Sequence, residues 1–262
     1  MTEFKKSNIK KILILRLSSL GDVLLTTPLL RILSKNFPNT LIDYIVGEEY
    51  TEILANNPYI SNLIIYDKNK SIFNPLKNPD FLKAKYDILI DLQYNLRSRI
   101  LTLNKSKVFK HYSKQRLHKL SLIYLKKPLI KDFSVPLNYM KSINFKEIKD
   151  DGLGLEYWLV KDRSANEYLP FSKKIEIKNP LEITIAPGAK HFTKRWTIDG
   201  FVELIKKLKD IFNCNINLVG SSKEVSISAI IEKNVRLPIN NYCGKLSITE
   251  TTELIDNSDL VV

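Results

Sequence analysis

Cysteine is scarce in this sequence, and long apolar runs are absent. Only Cys214 and Cys243 occur, far apart and outside any Cys-x-x-Cys or Cys/His cluster. That argues against zinc and redox chemistry, and both are expected to be plain buried thiols. The longest apolar stretches, such as Ile12 to Leu15 and Ile88 to Ile90, have strand length and fall far short of the roughly 20 residues of a membrane-spanning helix. The lysine-bearing N-terminus runs into a strand pattern without the apolar core of a signal peptide, so the cytoplasm is the expected compartment. No short-period repeat and no low-complexity tract is present. There is no Gly-x-Gly-x-x-Gly fingerprint, which weighs against a dinucleotide oxidoreductase.

The remaining composition, 44% apolar and 26% charged over 262 residues, is that of a globular chain with one to two domains, of which two is the better reading. Its net charge of +13 is unevenly spread: between Arg97 and Lys149 stand 14 Lys and Arg against 2 acidic residues. Such a stretch attracts nucleic acid, an acidic membrane surface or a phosphorylated substrate, or else is a solvated lysine-rich face. Nucleic acid is the weakest of these, because the stretch has no helix-turn-helix, zinc pattern or interleaved aromatic module.

Ile9 to Leu17 reads as a strand buried on both faces, and Asp22 to Asn36 as a helix closed by Phe37-Pro38-Asn39. Leu41 to Val46, Leu63 to Tyr66 and Tyr86 to Leu92 continue as strands, with a helix at Tyr50 to Ala55. Arg97 to about Lys131 reads as mainly helical with a short strand near Val108, and Ser164 to Pro180 as a linker. A second unit follows: strands at Leu181 to Ala186, Asn215 to Val219 and Leu260 to Val262, and helices at Ile198 to Phe212, Val225 to Glu232 and Thr249 to Ile255. This alternation predicts an α/β chain of two Rossmann-like domains, at 1–170 and 171–262, facing across a cleft, with ligands at the carboxyl ends of the strands.

Three strand ends carry chemistry. In Arg16-Leu17-Ser18-Ser19-Leu20-Gly21-Asp22, the turn from strand to helix favours anions, and Gly21 lets a ligand approach the backbone. Asp22 is there either as a helix cap or as a functional carboxylate. Ala186-Pro187-Gly188-Ala189, followed by Lys194-Arg195-Trp196, sets two cations before a helix start. That pair suits a diphosphate, or is a surface pair beside a core tryptophan. In Val219-Gly220-Ser221-Ser222-Lys223-Glu224, the glutamate either meets a ribose or complements a helix dipole.

Together these segments resemble glycosyltransferase family 9, the ADP-heptose:lipopolysaccharide heptosyltransferases. The resemblance rests on residues 16–22 with Pro28, on Tyr86-Asp87, Asp91-Leu92-Gln93 and Arg97-Ser98, on Pro187-Gly188-Ala189 with Lys194-Arg195-Trp196, and on Gly244-Lys245-Leu246-Ser247. It runs from about residue 9 to the last and is weakest over 99–175. It implies a GT-B fold and an inverting transfer of heptose from ADP-heptose to the lipopolysaccharide inner core, with no obligatory metal. The sequence has no Asp-x-Asp motif, in keeping with that last point. The same fold also serves other nucleotide sugars, or a nucleotide-binding fragment without catalysis.

By the resemblance, Asp22 is the general base. Lys194, Arg195, Gly188, Ser221, Glu224, Gly244 and Lys245 bind the donor, and Ser19, Gly21, Asp91, Gln93 and Arg97 the acceptor. The acceptor is an acidic glycolipid, and the enzyme sits peripherally at the anionic inner face of the cell membrane. The family's next segment, Asp-Ser/Thr-Gly-x-x-His, would follow Asp259 to Val262. The second domain is therefore expected to be incomplete, with an apolar patch at Leu260 to Val262 and weak donor binding.

Overall fold

The first strand of the chain, β1 (Lys11–Leu15), is almost entirely buried, as a central strand covered on both faces must be. The computed structural model describes residues 9–70, 76–77, 81, 83–112, 121–126, 134–145, 149–159, 179–189 and 191–262. The chain divides into two compact units, Met1–Lys161 and Asp162–Val262. The expected domain boundary and nearly all of the expected linker fall in 160–178, outside the described residues.

In the first unit β1 is followed by two helices where the periodicity predicted one: α1 (Leu20–Leu24) and α2 (Thr27–Asn36). Pro28 explains the break. It has no N–H to offer the Leu24 carbonyl, and the Thr27 hydroxyl donates to that oxygen instead, at 2.9 Å. Next come β2 (Leu41–Gly47), a 3-10 turn at Glu48–Ile53 in place of the expected helix, β3 (Asn62–Tyr66), β4 (Tyr86–Asp91) and α3 (Leu96–Thr102). In the stretch read as mainly helical with a short strand near Val108, α3 is followed by that strand, β5 (Ser106–His111), and by a π-helical turn at Ser121–Leu125. β-branched and aromatic residues at Val108 and Phe109 favour the strand. Residues 113–120 and 127–133 lie outside the described residues. The unit ends with α4 (Val135–Ile143).

All four strand pairings of this sheet are parallel, in the order β3-β2-β1-β4-β5. The order reverses on either side of β1, which opens a crevice beyond the carboxyl ends of β1 and β4. Arg31 on α2 is buried and ties that helix to the later chain: its guanidinium donates to Asp151 at 2.7 and 2.9 Å and lies 2.9 Å from Glu156.

The second unit runs β6 (Leu181–Ile185), α5 (Ile198–Ile211), β7 (Cys214–Leu218), α6 (Val225–Val235), β8 (Asn240–Asn241), α7 (Ile248–Asp256) and β9 (Leu260–Val261). Its sheet is also parallel, ordered β8-β7-β6-β9. Phe201, Val202 and Ile205 bring α5 onto a core that includes Ile183, Ile216 and both thiols, buried and unpaired as expected. α6 reaches three residues beyond its predicted end. β8 is too short to carry a pattern in the sequence. Leu260, Val261 and Val262 are half exposed.

Candidate active site

Asp22 sits in the only turns of α1, and its neighbours are short-range. Ser19 stands at the N-cap, where its N–H and hydroxyl both donate to Asp22 Oδ2, at 3.2 and 3.0 Å. Arg16 closes on the same oxygen at 2.7 Å. The capping reading of Asp22 is therefore realised, but on one oxygen. Oδ1 has no partner among the described residues, and the side chain is 36% exposed. Partial burial pushes this carboxyl up; the Arg16 charge and the Ser19 hydrogen bonds outweigh it and hold it below the usual carboxylate range.

Arg16 is the residue whose role the sequence did not reveal. It is buried, donates from Nη1 to the Leu92 carbonyl at 2.5 Å, and lies 5.9 Å from the Tyr139 ring. Burial pushes the Tyr139 phenol up to about 12, and raises Tyr112 and Tyr44 beside it. Arg16 is thus ringed by neutral phenols, and Asp22 is the carboxylate that balances it. A cation ending an apolar strand was the available signal.

Gly21 lies two residues after Ser19, and a Cβ built there would meet nothing within 4 Å. The β1–α1 turn is open at this point. The other expected acceptor residues lie at the end of β4. Asp91 is fully buried, accepting from the N–H groups of Gln93 (3.0 Å) and Tyr94 (2.7 Å) and from the Ser98 hydroxyl (2.6 Å). Its hydrogen bonds hold the loop that carries Gln93 and Arg97. Those two do line a cavity of about 280 Å³, with Ser18, Glu48, Tyr66 and Lys68 from the ends of β1, β2 and β3. Arg97 lies 5.8 Å over the Tyr66 ring, and the Gln93 Oε1 is buried without a hydrogen-bond partner among the described residues. Glu48 and Glu49, paired to Lys77 and Lys68, belong to no motif the sequence offered.

In the second unit the loops after β6, β7 and β8 converge. A Cβ at Gly188 would fall on the Glu224 side chain, and the Gly244 N–H donates to the Gly220 carbonyl at 2.8 Å. Gly244 has a φ of 73°, the left-handed region where glycine is preferred. Glu224 caps its own turn: the Ser221 N–H and hydroxyl donate to Oε2 at 2.9 and 2.6 Å. Its Oε1 is not engaged in that box. Lys245 reaches the Asn241 carbonyl at 2.7 Å.

Lys194 ends a short 3-10 turn and Arg195 donates from Nε to the Ala189 carbonyl at 2.6 Å, which folds it over the Gly188 loop. Both side chains are exposed. Trp196, one reading of which was a core anchor, is 55% exposed and meets Phe201 edge-on at 5.2 Å. Thr197 then caps α5 by accepting from the Gly200 N–H at 3.1 Å. Among the described residues no group of three or more His, Cys, Asp or Glu is placed to hold a metal ion.

The family profile of glycosyltransferase family 9 (heptosyltransferase) matches residues 80–262. The lipopolysaccharide core heptosyltransferase OpsX of Haemophilus influenzae is 26% identical over 266 residues, which cover 97% of this chain and 73% of the relative. Among solved structures, a family 9 glycosyltransferase of Veillonella parvula superposes with a TM-score of 0.76 at 21% identity, covering 99% of this chain and 76% of its own. The heptosyltransferase WaaC of Escherichia coli, solved with ADP, superposes with a TM-score of 0.65 at 18% identity, covering 96% and 80%. These structures share the α/β, GT-B type of fold expected from the sequence. With two parallel sheets, a Ser-capped aspartate at the first strand's end and a profile match over more than half its length, the chain belongs to glycosyltransferase family 9.

Proposed function

We propose that the protein is an inverting heptosyltransferase that moves heptose from ADP-heptose to an acidic glycolipid of the lipopolysaccharide inner core. The observation that carries this reading is the division of labour on Asp22, whose Oδ2 is anchored by Arg16 and Ser19 while Oδ1 is free to accept. An ionised oxygen of fixed direction is what a general base requires. Its low basicity fits a proton taken late, as the acceptor oxygen bonds to the anomeric carbon and the bond to the diphosphate breaks. The heptosyltransferase names of the relatives support the sugar, and the ADP in the WaaC structure supports the nucleotide.

In this reading the first domain takes the acceptor along Ser19, Gly21, Gln93 and Arg97, with Asp91 positioning their loop. The second takes the donor. Lys194 and Arg195 offset the charge that develops on the departing ADP, a task metals perform in other transferases. The loops at Gly188, Ser221, Gly244 and Lys245 approach the phosphates, and Glu224 offers Oε1 to the ribose. The enzyme works in the cytoplasm, peripherally on the anionic inner face of the membrane, where its acceptor is embedded.

The test is Asp22→Asn in the full-length protein. Binding of ADP-heptose is expected to be nearly unchanged, while transfer falls about 100-fold or more. Unchanged turnover would reduce Asp22 to a helix cap. A stronger thermal shift with UDP or GDP than with ADP would assign the chain another nucleotide sugar.

A further inference from the structure

Helix α3 is apolar outward as well as inward. Its inward side packs Leu101 against the core and carries two hydroxyls: Ser98 is fully buried and donates to Asp91 at 2.6 Å, and Thr102, also buried, donates to the Ser98 carbonyl at 2.8 Å. Its outward side carries Leu96, Ile100 and, at the capping position, Leu103, which are 77%, 43% and 71% exposed. At 3.6 residues per turn these three fall within an arc of about 60°. Arg99 projects beside that ridge, exposed, while Arg97 on its other flank turns over the Tyr66 ring toward the cavity. A surface helix normally presents polar side chains to water, and a contiguous exposed apolar ridge marks a contact surface.

The charge around the ridge selects its partner. The helix opens the stretch in which 14 Lys and Arg stand against 2 acidic residues. Further along it, the described turn at Ser121–Leu125 exposes Ile123, Tyr124 and Leu125 at 68%, 77% and 66%. Apolar and aromatic side chains set among cations are the composition of segments that lie in a bilayer interface. There the apolar face enters the acyl boundary while guanidinium groups meet anionic headgroups. A second copy of this chain would bring an equally basic surface against this one.

We infer that Leu96, Ile100 and Leu103 form a ridge that inserts into an anionic lipid bilayer, with Arg99 at headgroup level. This deepens the membrane contact proposed above, which needs charge alone, by naming the part of the protein that enters the lipid. It does not depend on which sugar is transferred.

The two natural cysteines are buried, so Leu103→Cys can be labelled selectively with an environment-sensitive fluorophore in the full-length protein. Emission is expected to rise on adding phosphatidylethanolamine–phosphatidylglycerol vesicles, to be quenched by nitroxides on the acyl chains, and to stay unchanged with phosphatidylcholine alone. In vesicle flotation, the Leu96→Ser, Ile100→Ser, Leu103→Ser triple variant is expected to bind at least about tenfold more weakly. It should also lose the binding that the natural sequence keeps near 1 M salt, where the screening length is about 3 Å. An unchanged emission, with the triple variant floating like the natural protein, would overturn the ridge and leave a purely electrostatic contact. A rise with protein concentration in the absence of lipid would assign the ridge to a second copy and overturn the inference. No flotation at all would overturn the membrane contact too, while transfer to a delipidated, water-soluble acceptor still reports on the transferase reading separately.

Discussion

Asp22 is held by one oxygen and offered by the other, and Arg16 sets its charge. With Arg16 in place the carboxyl lies below its ordinary value of about 3.9. A base must be ionised, so activity is lost as pH falls through its pKa, and the acid limb of kcat/KM is expected below about pH 4. Arg16→Met removes the charge that lowers it, so the limb should move toward neutral pH. A pH–rate profile of a variant shown to be folded by circular dichroism checks this; an unmoved limb would mean that another group titrates.

The same reasoning applies to a residue outside the site. Arg31 neutralises Asp151 and Glu156 while fully buried, and Arg31→Met leaves Glu156 uncompensated and Asp151 paired to Lys35 alone. A loss of about 3–5 kcal/mol is expected in denaturant unfolding. The pH dependence has a definite sign. The Arg31 hydrogen bonds hold the Asp151 carboxyl well below its ordinary range. Its stabilisation is therefore complete above the ordinary value near 3.9 and lost as pH falls through the lowered one. Burial raises Glu156, which acts oppositely: its share of the stability grows as pH falls through the raised value. In Arg31→Met the acid loss due to Asp151 should shrink. A variant as stable as the natural protein would show that this ion pair contributes nothing net.

Among the elements, the loops that end β6, β7 and β8 depend on glycine at one position above all. Gly244 is left-handed, and a Cβ there would lie 2.7 Å from Val225 Cγ2. Gly244→Ala is expected to lower both melting temperature and ADP affinity, because the loop must shift where it meets the Gly220 strand end. Lys194→Ala and Arg195→Ala should each weaken ADP about tenfold or more while adenosine binding barely changes, as titration calorimetry would show. Equal losses for the two ligands would place both side chains away from the diphosphate. At this scale the sequence was read well where a strand is buried on both faces, as at β1, β4 and β6, because a continuous apolar run has one solution there. It was read poorly where a local bond overrides periodicity. Pro28 and the Thr27 hydroxyl split one expected helix into two, and no apolar spacing reports that. α3 lies in a stretch read as helical, but its outward leucines carry the pattern of a buried face, so the side they take is not legible from spacing.

For the molecule as a whole, the family was legible because its marks lie at strand ends, where position and chemistry coincide: Ser19 with Asp22, Gly188 with Lys194 and Arg195, Ser221 with Glu224. What stayed hidden is set by the tertiary structure. Arg16 becomes the partner of Asp22 only once β1 ends between Leu92 and Tyr139. The burial of Asp91 and its hold on the loop of Gln93 and Arg97 are likewise invisible in a motif. The cavity that gathers Gln93 and Arg97 also draws Glu48, Tyr66 and Lys68 from β2 and β3, strands joined to β4 only through the sheet order. The central claim, heptose transfer from ADP-heptose, is tested most directly by mass spectrometry of a heptose-free inner-core glycolipid incubated with the full-length protein and ADP-heptose. The account predicts that the glycolipid gains one heptose for each ADP released, with inversion at the anomeric carbon. An unaltered glycolipid in the presence of bound ADP-heptose, or a product that keeps the donor's anomeric configuration, would contradict it.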